Sequence, residues 1–144
     1  MNKKIIITGS EGLLGSEISR YLESLGNTII RCDLQLGHDL TDESFVKKFF
    51  QENKADSLVN LYAINPHVDS RDHSTNMFNI SLDSLNSYLQ VNLLSLFSVC
   101  REFARNNKKG SIINFSSTYG IVSPNPALYE EGKEKHIGYC VSKS

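Results

Sequence analysis

The stretch IIITGSEGLLG, residues 5–15, decides how this chain is read. It extends a β-branched run, KIIIT (4–8), that stops at Gly9, the pattern of a short strand buried on both faces of a parallel sheet. Gly9, Gly12 and Gly15 then stand three apart. Leu13, Leu14, Ile18, Tyr21, Leu22 and Leu25 follow at helical spacing until Gly26 stops the helix. Glycines in that position permit a tight turn, let backbone N–H groups approach a pyrophosphate and let the helix pack closely on the strand. The helix N-terminus adds the positive end of its dipole. Glycine trios are common in turns. What points to dinucleotide binding is this trio's place between a strand and an amphipathic helix.

Downstream, residues 28–32 (TIIRC) form a second strand that delivers Asp33 at its end and completes a right-handed βαβ unit. A carboxylate about 20 residues beyond such a glycine turn accepts hydrogen bonds from the adenosine ribose hydroxyls. It also repels a 2′-phosphate, so NAD is favoured over NADP. Arg31 is the one neighbour that pulls the other way, and it lies inside the strand.

The segment after Asp33 is too short for another crossover helix, and a rudimentary strand is expected near His38–Leu40. Thr41 or Asp42 caps a helix with Phe45, Val46, Phe49 and Phe50 on one face, and 57–61 (SLVNL) is the next strand. A polar loop spans Asn65 to Asn79. Ser81 caps a long helix through about Asn106, with Leu82, Leu85, Leu89, Leu93, Leu96, Phe97, Cys100 and Phe103 as its buried stripe. Gly110 leads into a strand at 111–115 (SIINF). A long loop punctuated by Pro124, Pro126 and Gly132 runs to Ile137, and GYCVSKS opens a last helix. The expected fold is α/β: a Rossmann-type doubly wound parallel sheet in one domain, residues 1–144, ending after the fifth strand.

Fifteen Lys and Arg against 16 Asp and Glu give a net charge of -1, which supplies no broad attraction to nucleic acid or an acidic membrane. Cys32, Cys100 and Cys140 are too scattered for a disulfide framework or a metal clip. His38, His67, His73 and His136 lack zinc-ligand spacing, so no metal is expected. The isoleucine run is far shorter than a signal sequence and nothing approaches a membrane span, which makes the expected location cytoplasmic.

Three features carry chemistry further along. Tyr139 and Lys143 stand at i and i+4 on one helix face. A phenol ordinarily titrates near 10, and a neighbouring ammonium favours the phenolate that a proton-transfer group needs. Ser116 and Ser117 follow a strand at the carboxyl edge of the sheet, where a hydroxyl can bond an oxygen on which charge develops. Asn92 is the odd polar residue in an apolar stripe and needs a hydrogen-bonding role, structural or in a proton relay.

Together these residues resemble the short-chain dehydrogenase/reductase family over the whole chain and in order. TGSEGLLG (8–15) resembles its glycine motif, with Gly9, Gly12, Leu13 and Gly15 in the cofactor-binding turn. The spacing is closer to the branch that modifies nucleotide sugars. Asp39 and Leu40 fall where family members contact the adenine ring. VNLYA (59–63) resembles a degraded Asn-Asn-Ala-Gly strand end that keeps Asn60. QVNLLSLF (90–97) resembles the segment of the active-site asparagine, Asn92, and INFSSTYG (113–120) the serine segment, with Ser117 preferred to Ser116. YCVSK (139–143) supplies Tyr139 and Lys143. The resemblance implies that Tyr139 exchanges a proton, Ser117 polarises the carbonyl or alcohol, Lys143 holds the nicotinamide ribose and Asn92 anchors a water relay. It also implies homo-oligomers.

Two departures shape the expectation. The stretch PNPALYEEGKEKHI (124–137) lengthens the Ser117-to-Tyr139 interval. With the Asn65–Asn79 loop it is similar to members of bacterial surface-polysaccharide and flagellin-sugar pathways, implying a small, sugar-like substrate. The sequence also ends one residue after Lys143, whereas family members continue past that helix. The adenosine half of the site is therefore expected to be complete and the catalytic half not, so the chain alone is expected to turn over no alcohol or sugar. Three readings stand: an NAD-dependent oxidoreductase, a non-catalytic NAD-binding module, and a nucleotide-sugar epimerase or dehydratase.

Overall fold

The computed structural model describes residues 2–66, 68, 77–131 and 133–144. Four parallel strands form one sheet: β1 (Lys4–Thr8), β2 (Thr28–Cys32), β3 (Ser57–Asn60) and β4 (Ser111–Asn114), in the order β2-β1-β3-β4. The chain steps from β1 outward to β2 and then returns to the other side of β1, so the strand order reverses beside the glycine turn. Period-two alternation puts Ile6 and Leu58 on one face and Ile5, Ile7 and Val59 on the other. On the first face α2 (Glu43–Glu52) and α4 (Leu96–Asn106) bring Val46, Phe49, Phe50, Val99 and Phe103. On the second, α1 (Leu13–Ser24) brings Ile18 and Leu22. Helices on both faces make the sheet doubly wound, as expected.

The chain divides into two compact units. The first comprises residues 1–63 and 95–115 and holds the sheet; the second comprises 64–94 and 116–144. In the second, α3 (Leu82–Leu89) and α5 (Ile137–Lys143) pack together at Gly138, where an added Cβ would lie 2.7 Å from the Tyr88 ring. The Tyr88 and His136 rings lie 4.4 Å apart.

Several expectations need correction. Among the described residues the sheet has four strands, not five. In place of a strand near His38–Leu40, Asp33 accepts a hydrogen bond from Gln35 N–H and starts a 3-10 turn, Leu34–Leu36. Gly37, at φ +79°, ends that turn in the left-handed region. The His38 ring then stacks on Phe45, and Asp42 caps α2 through the N–H groups of Ser44 and Phe45.

The long helix is interrupted by a π-helical segment, Gln90–Ser95, between α3 and α4. Its buried line is Tyr88, Asn92, Ser95, Val99, Glu102 and Phe103, one residue away from most of the expected stripe. Leu82, Leu93 and Phe97 are exposed, while Leu85, Leu89, Leu96 and Cys100 flank the buried line half-covered. On α1 likewise Leu13, Leu14, Tyr21 and Leu25 face solvent. β4 forms the sheet edge, with Ile113 half exposed. Much of the Asn65–Asn79 loop, including His67 and residues 69–76, lies outside the described residues, as does Gly132.

Candidate active site

The first unit builds a turn that only glycine can make. Gly9 has φ +73°, and a Cβ there would lie 2.6 Å from Tyr62 N. At Gly15 a Cβ would come within 1.9 Å of Gly9 O, so α1 leaves the turn in direct backbone contact with it. Gly9 N–H donates to Cys32 O at 2.8 Å, tying the turn to the end of β2. Gly12 is the N-cap of α1, and no side chain caps it. No side chain therefore takes the first-turn N–H groups, which leaves them to an anion, and Leu13 beside them is 87% exposed.

Asp33 is almost fully buried where β2 ends. Its two carboxylate oxygens accept from Glu11 N–H at 3.0 Å and Gln35 N–H at 2.9 Å. A carboxylate oxygen has room for a second donor, so both bonds leave capacity for ribose hydroxyls. Turn, uncapped helix start and oriented carboxylate fit the adenosine diphosphate part of a dinucleotide.

Other expected cofactor residues are held internally. Leu40 packs in the core of the first unit. The Asp39 carboxylate accepts from Thr41 N–H and hydroxyl, bonds that lower its pKa. Asn60 is buried, accepts from Thr8 Oγ1 at 2.8 Å and donates to Asn114 Oδ1 at 2.8 Å. Thr8, Asn60 and Asn114 are register partners, so their side chains stitch together the carboxyl ends of β1, β3 and β4. Tyr62, beyond Asn60, bonds Ser95 Oγ at 2.8 Å, and burial raises its pKa.

The second unit carries Asn92, Ser117, Tyr139 and Lys143. Asn92 lies in the π-helical segment, 3% exposed. Its Oδ1 accepts from Ile64 N–H at 2.8 Å, and its Nδ2 donates to Ile64 O at 3.1 Å and Ser142 Oγ at 2.8 Å. Ser142 donates in turn to Tyr139 O at 2.9 Å, so Asn92 holds α5 through a residue the sequence reading missed. Tyr139 is buried, with Lys135 Nζ 4.6 Å from its ring centroid. Lys135 also donates to Asn65 Oδ1. Lys143 is half buried, and that burial lowers its pKa.

Ser117 Oγ accepts from Tyr119 N–H at 3.2 Å and starts the turn Thr118–Gly120. That turn packs on the end of α5, where a Cβ on Gly120 would meet Lys143 O at 1.9 Å. Ser117, Tyr139 and Lys143 therefore sit on two elements in contact, while Ser116 is exposed at the head of the segment. Among the described residues no cluster of metal-ligating side chains occurs.

A parallel, doubly wound sheet with a glycine turn at its strand-order reversal defines an α/β nucleotide-binding fold. A family profile described as enoyl-(acyl carrier protein) reductase matches residues 2–140. The chain belongs to the short-chain dehydrogenase/reductase family. Comparison with curated proteins finds no match.

Among solved structures, a short-chain dehydrogenase from Leptospira borgpetersenii with bound NAD+ is similar at 23% identity and a TM-score of 0.78, covering 99% of this chain and 61% of that one. A small-chain dehydrogenase in complex with NADPH shares 16% identity at a TM-score of 0.78, covering 99% and 59%. The aldohexose dehydrogenase of Thermoplasma acidophilum shares 18% identity at 0.73, covering 99% and 56%. At these identities the likeness shows the fold. The chain spans about three-fifths of the length of those relatives. No helix among the described residues is long and apolar enough to cross a membrane.

Proposed function

We propose that the chain is the NAD-binding and proton-transferring part of an oxidoreductase that interconverts a carbonyl and an alcohol on a small polar substrate. The observation that carries this reading is the cradle of the first unit: a glycine turn closed by backbone contact, an α1 start that no side chain caps, and Asp33 oriented by Glu11 N–H. Asp33 takes the ribose hydroxyls, and its charge favours NAD over NADP. The backbone N–H groups at the start of α1 take the diphosphate.

When bound, the nicotinamide gives or accepts the hydride. The remaining chemistry falls to side chains of the second unit. Tyr139 Oη donates a proton to the substrate oxygen or removes one from it. Ser117 accepts one backbone N–H, which leaves its hydroxyl hydrogen for that same oxygen. Lys143 supplies positive charge one turn from Tyr139 and takes the nicotinamide ribose. Asn92 sets α5 in place.

A sugar-like substrate is the finer proposal. It is supported by a cavity of about 160 Å³ in the second unit, lined by Tyr129, Glu134 and Lys135 with Pro124, Pro126 and Ile137. Charged and phenolic groups among apolar side chains suit a compact polyol. The exposed Leu82, Leu93 and Leu94 support association of copies.

Calorimetric titration tests the cofactor assignment. NAD+ is expected to bind more tightly than NADP+, and Asp33→Ala to weaken NAD+ at least tenfold. Absence of binding by either nucleotide, or preference for NADP+, overturns it.

A further inference from the structure

Arg31 precedes Asp33 by two residues, so the two side chains leave the strand end on the same side. A free guanidinium there would be a ready receptor for a 2′-phosphate. The structure occupies it on two sides. Arg31 Nη2 pairs with Glu23 Oε1 of α1 at 3.0 Å, and Nη1 lies 3.5 Å from Glu11 Oε1 in the glycine turn. Glu11 is itself held in place. Its Oε1 accepts from the fully buried Ser10 hydroxyl at 2.9 Å, and its backbone N–H donates to Asp33 Oδ2 at 3.0 Å. Two carboxylates therefore hold the one guanidinium, those of Glu11 and Glu23, and the Glu11 backbone ties that arrangement to Asp33.

We propose that Glu11 is a specificity-determining residue of the nucleotide site, which holds Arg31 in an ion pair shared with Glu23 and so withholds it from a 2′-phosphate. The inference rests on the dinucleotide reading above and adds a cause for its preference. Asp33 repels the 2′-phosphate by its own charge. Glu11 removes the compensating cation, and without it Arg31 would offset much of that repulsion. The Ser10 hydrogen bond fixes the Glu11 carboxylate toward Arg31, since one oxygen takes both partners.

The test is the ratio Kd(NADP+)/Kd(NAD+), measured by calorimetry on the full chain and on Glu11→Gln, Arg31→Gln and the double variant. Glutamine keeps an oxygen for Ser10 and loses the charge. Freeing a guanidinium that is 32% exposed to meet a 2′-phosphate is expected to change the ratio by about tenfold after solvent screening. In Glu11→Gln the ratio is expected to fall by that factor, and in the Arg31→Gln background the fall is expected to vanish. Glu23→Gln, which removes the shorter of the two pairs and leaves the glycine turn untouched, is expected to lower the ratio in the same direction.

An unchanged ratio in Glu11→Gln, with NAD+ still binding the wild type, overturns the inference and leaves the dinucleotide reading standing. A fall that is as large without Arg31 also overturns it, because Glu11 would then act by its own charge alone. Failure of the wild type to bind either nucleotide removes the dinucleotide reading itself, and this inference with it.

Discussion

Replacing Asn92 separates a side chain that holds the fold from one that merely occupies a helix. The amide is 3% exposed and makes three hydrogen bonds, two to the backbone of Ile64 and one to Ser142. Each is worth about 1 kcal/mol net, and alanine returns about 0.6 kcal/mol through its better helix propensity. Asn92→Ala is therefore expected to lose about 2.5 kcal/mol. With an m-value of ~2 kcal/mol/M, the urea midpoint followed by circular dichroism should drop by about 1 M.

Asn92→Asp sharpens the test. One oxygen still accepts from Ile64 N–H, but the ionised form sets the other against Ile64 O and buries a charge. The folded state thus favours the neutral acid, and the carboxyl's folded pKa rises above its unfolded value. As pH climbs, the unfolded chain loses the proton first, so stability falls across that window. Asn92→Asp should be closer to wild type at pH 5 than at pH 8. A loss under 1 kcal/mol for alanine, together with a pH-independent aspartate variant, would refute the clamp.

Two further outcomes follow from close packing and burial. Gly15→Ala drives a Cβ into the Gly9 carbonyl, backbone that cannot swing aside, and should cost more than ~2 kcal/mol. Gly26→Ala meets nothing within 4 Å and carries only the left-handed penalty of ~1 kcal/mol, so equal urea midpoints for the two variants would contradict the backbone contact. Burial lowers the pKa of Lys143 in the folded chain, so below 10.5 the unfolded state binds the proton first. Wild-type stability relative to Lys143→Met should therefore rise with pH through the window between the lowered value and 10.5, and a flat difference there would count against that burial.

The sheet was legible because its signal is purely local. KIIIT, TIIRC, SLVN and SIIN are short runs rich in Ile and Val, each bounded by turn residues, and all four are strands within a residue of where they were expected. The segment after β2 departs from the expected strand because the apolar residues there serve something else. Leu40 and His38 face the α2 aromatics, while Asp33 and Gly37 turn the chain twice within a few residues. The long helix misled for the opposite reason. Counting apolar residues assumes that what is buried is apolar, and here the buried line runs through Asn92, Ser95 and Glu102. Each has a partner: Ile64 and Ser142, Tyr62, and the Arg101–Arg105 pair. Those partners come from elsewhere in the chain or flank the residue itself. Helical periodicity carries no sign of them, and the leucines one position along stay at the margin or in solvent.

That same distinction sorts the site. Side chains such as Asn60 and Asn92 could be picked out as polar residues at strand ends and in helices, but their hydrogen bonds are spent on register and on seating α5. In the proposed site, the residues assigned to ligands are those whose polar atoms keep unused capacity, as Ser117 and Asp33 do after their backbone bonds are counted. Glu11 carries no signal of its own in the sequence, because the glycines around it define the motif. The role proposed for its carboxylate runs through Arg31, 20 residues on in sequence and 3.5 Å away in space. A motif fixes where a ligand's backbone contacts fall. Which ligand is admitted depends on charges that the fold, and not the motif, brings together.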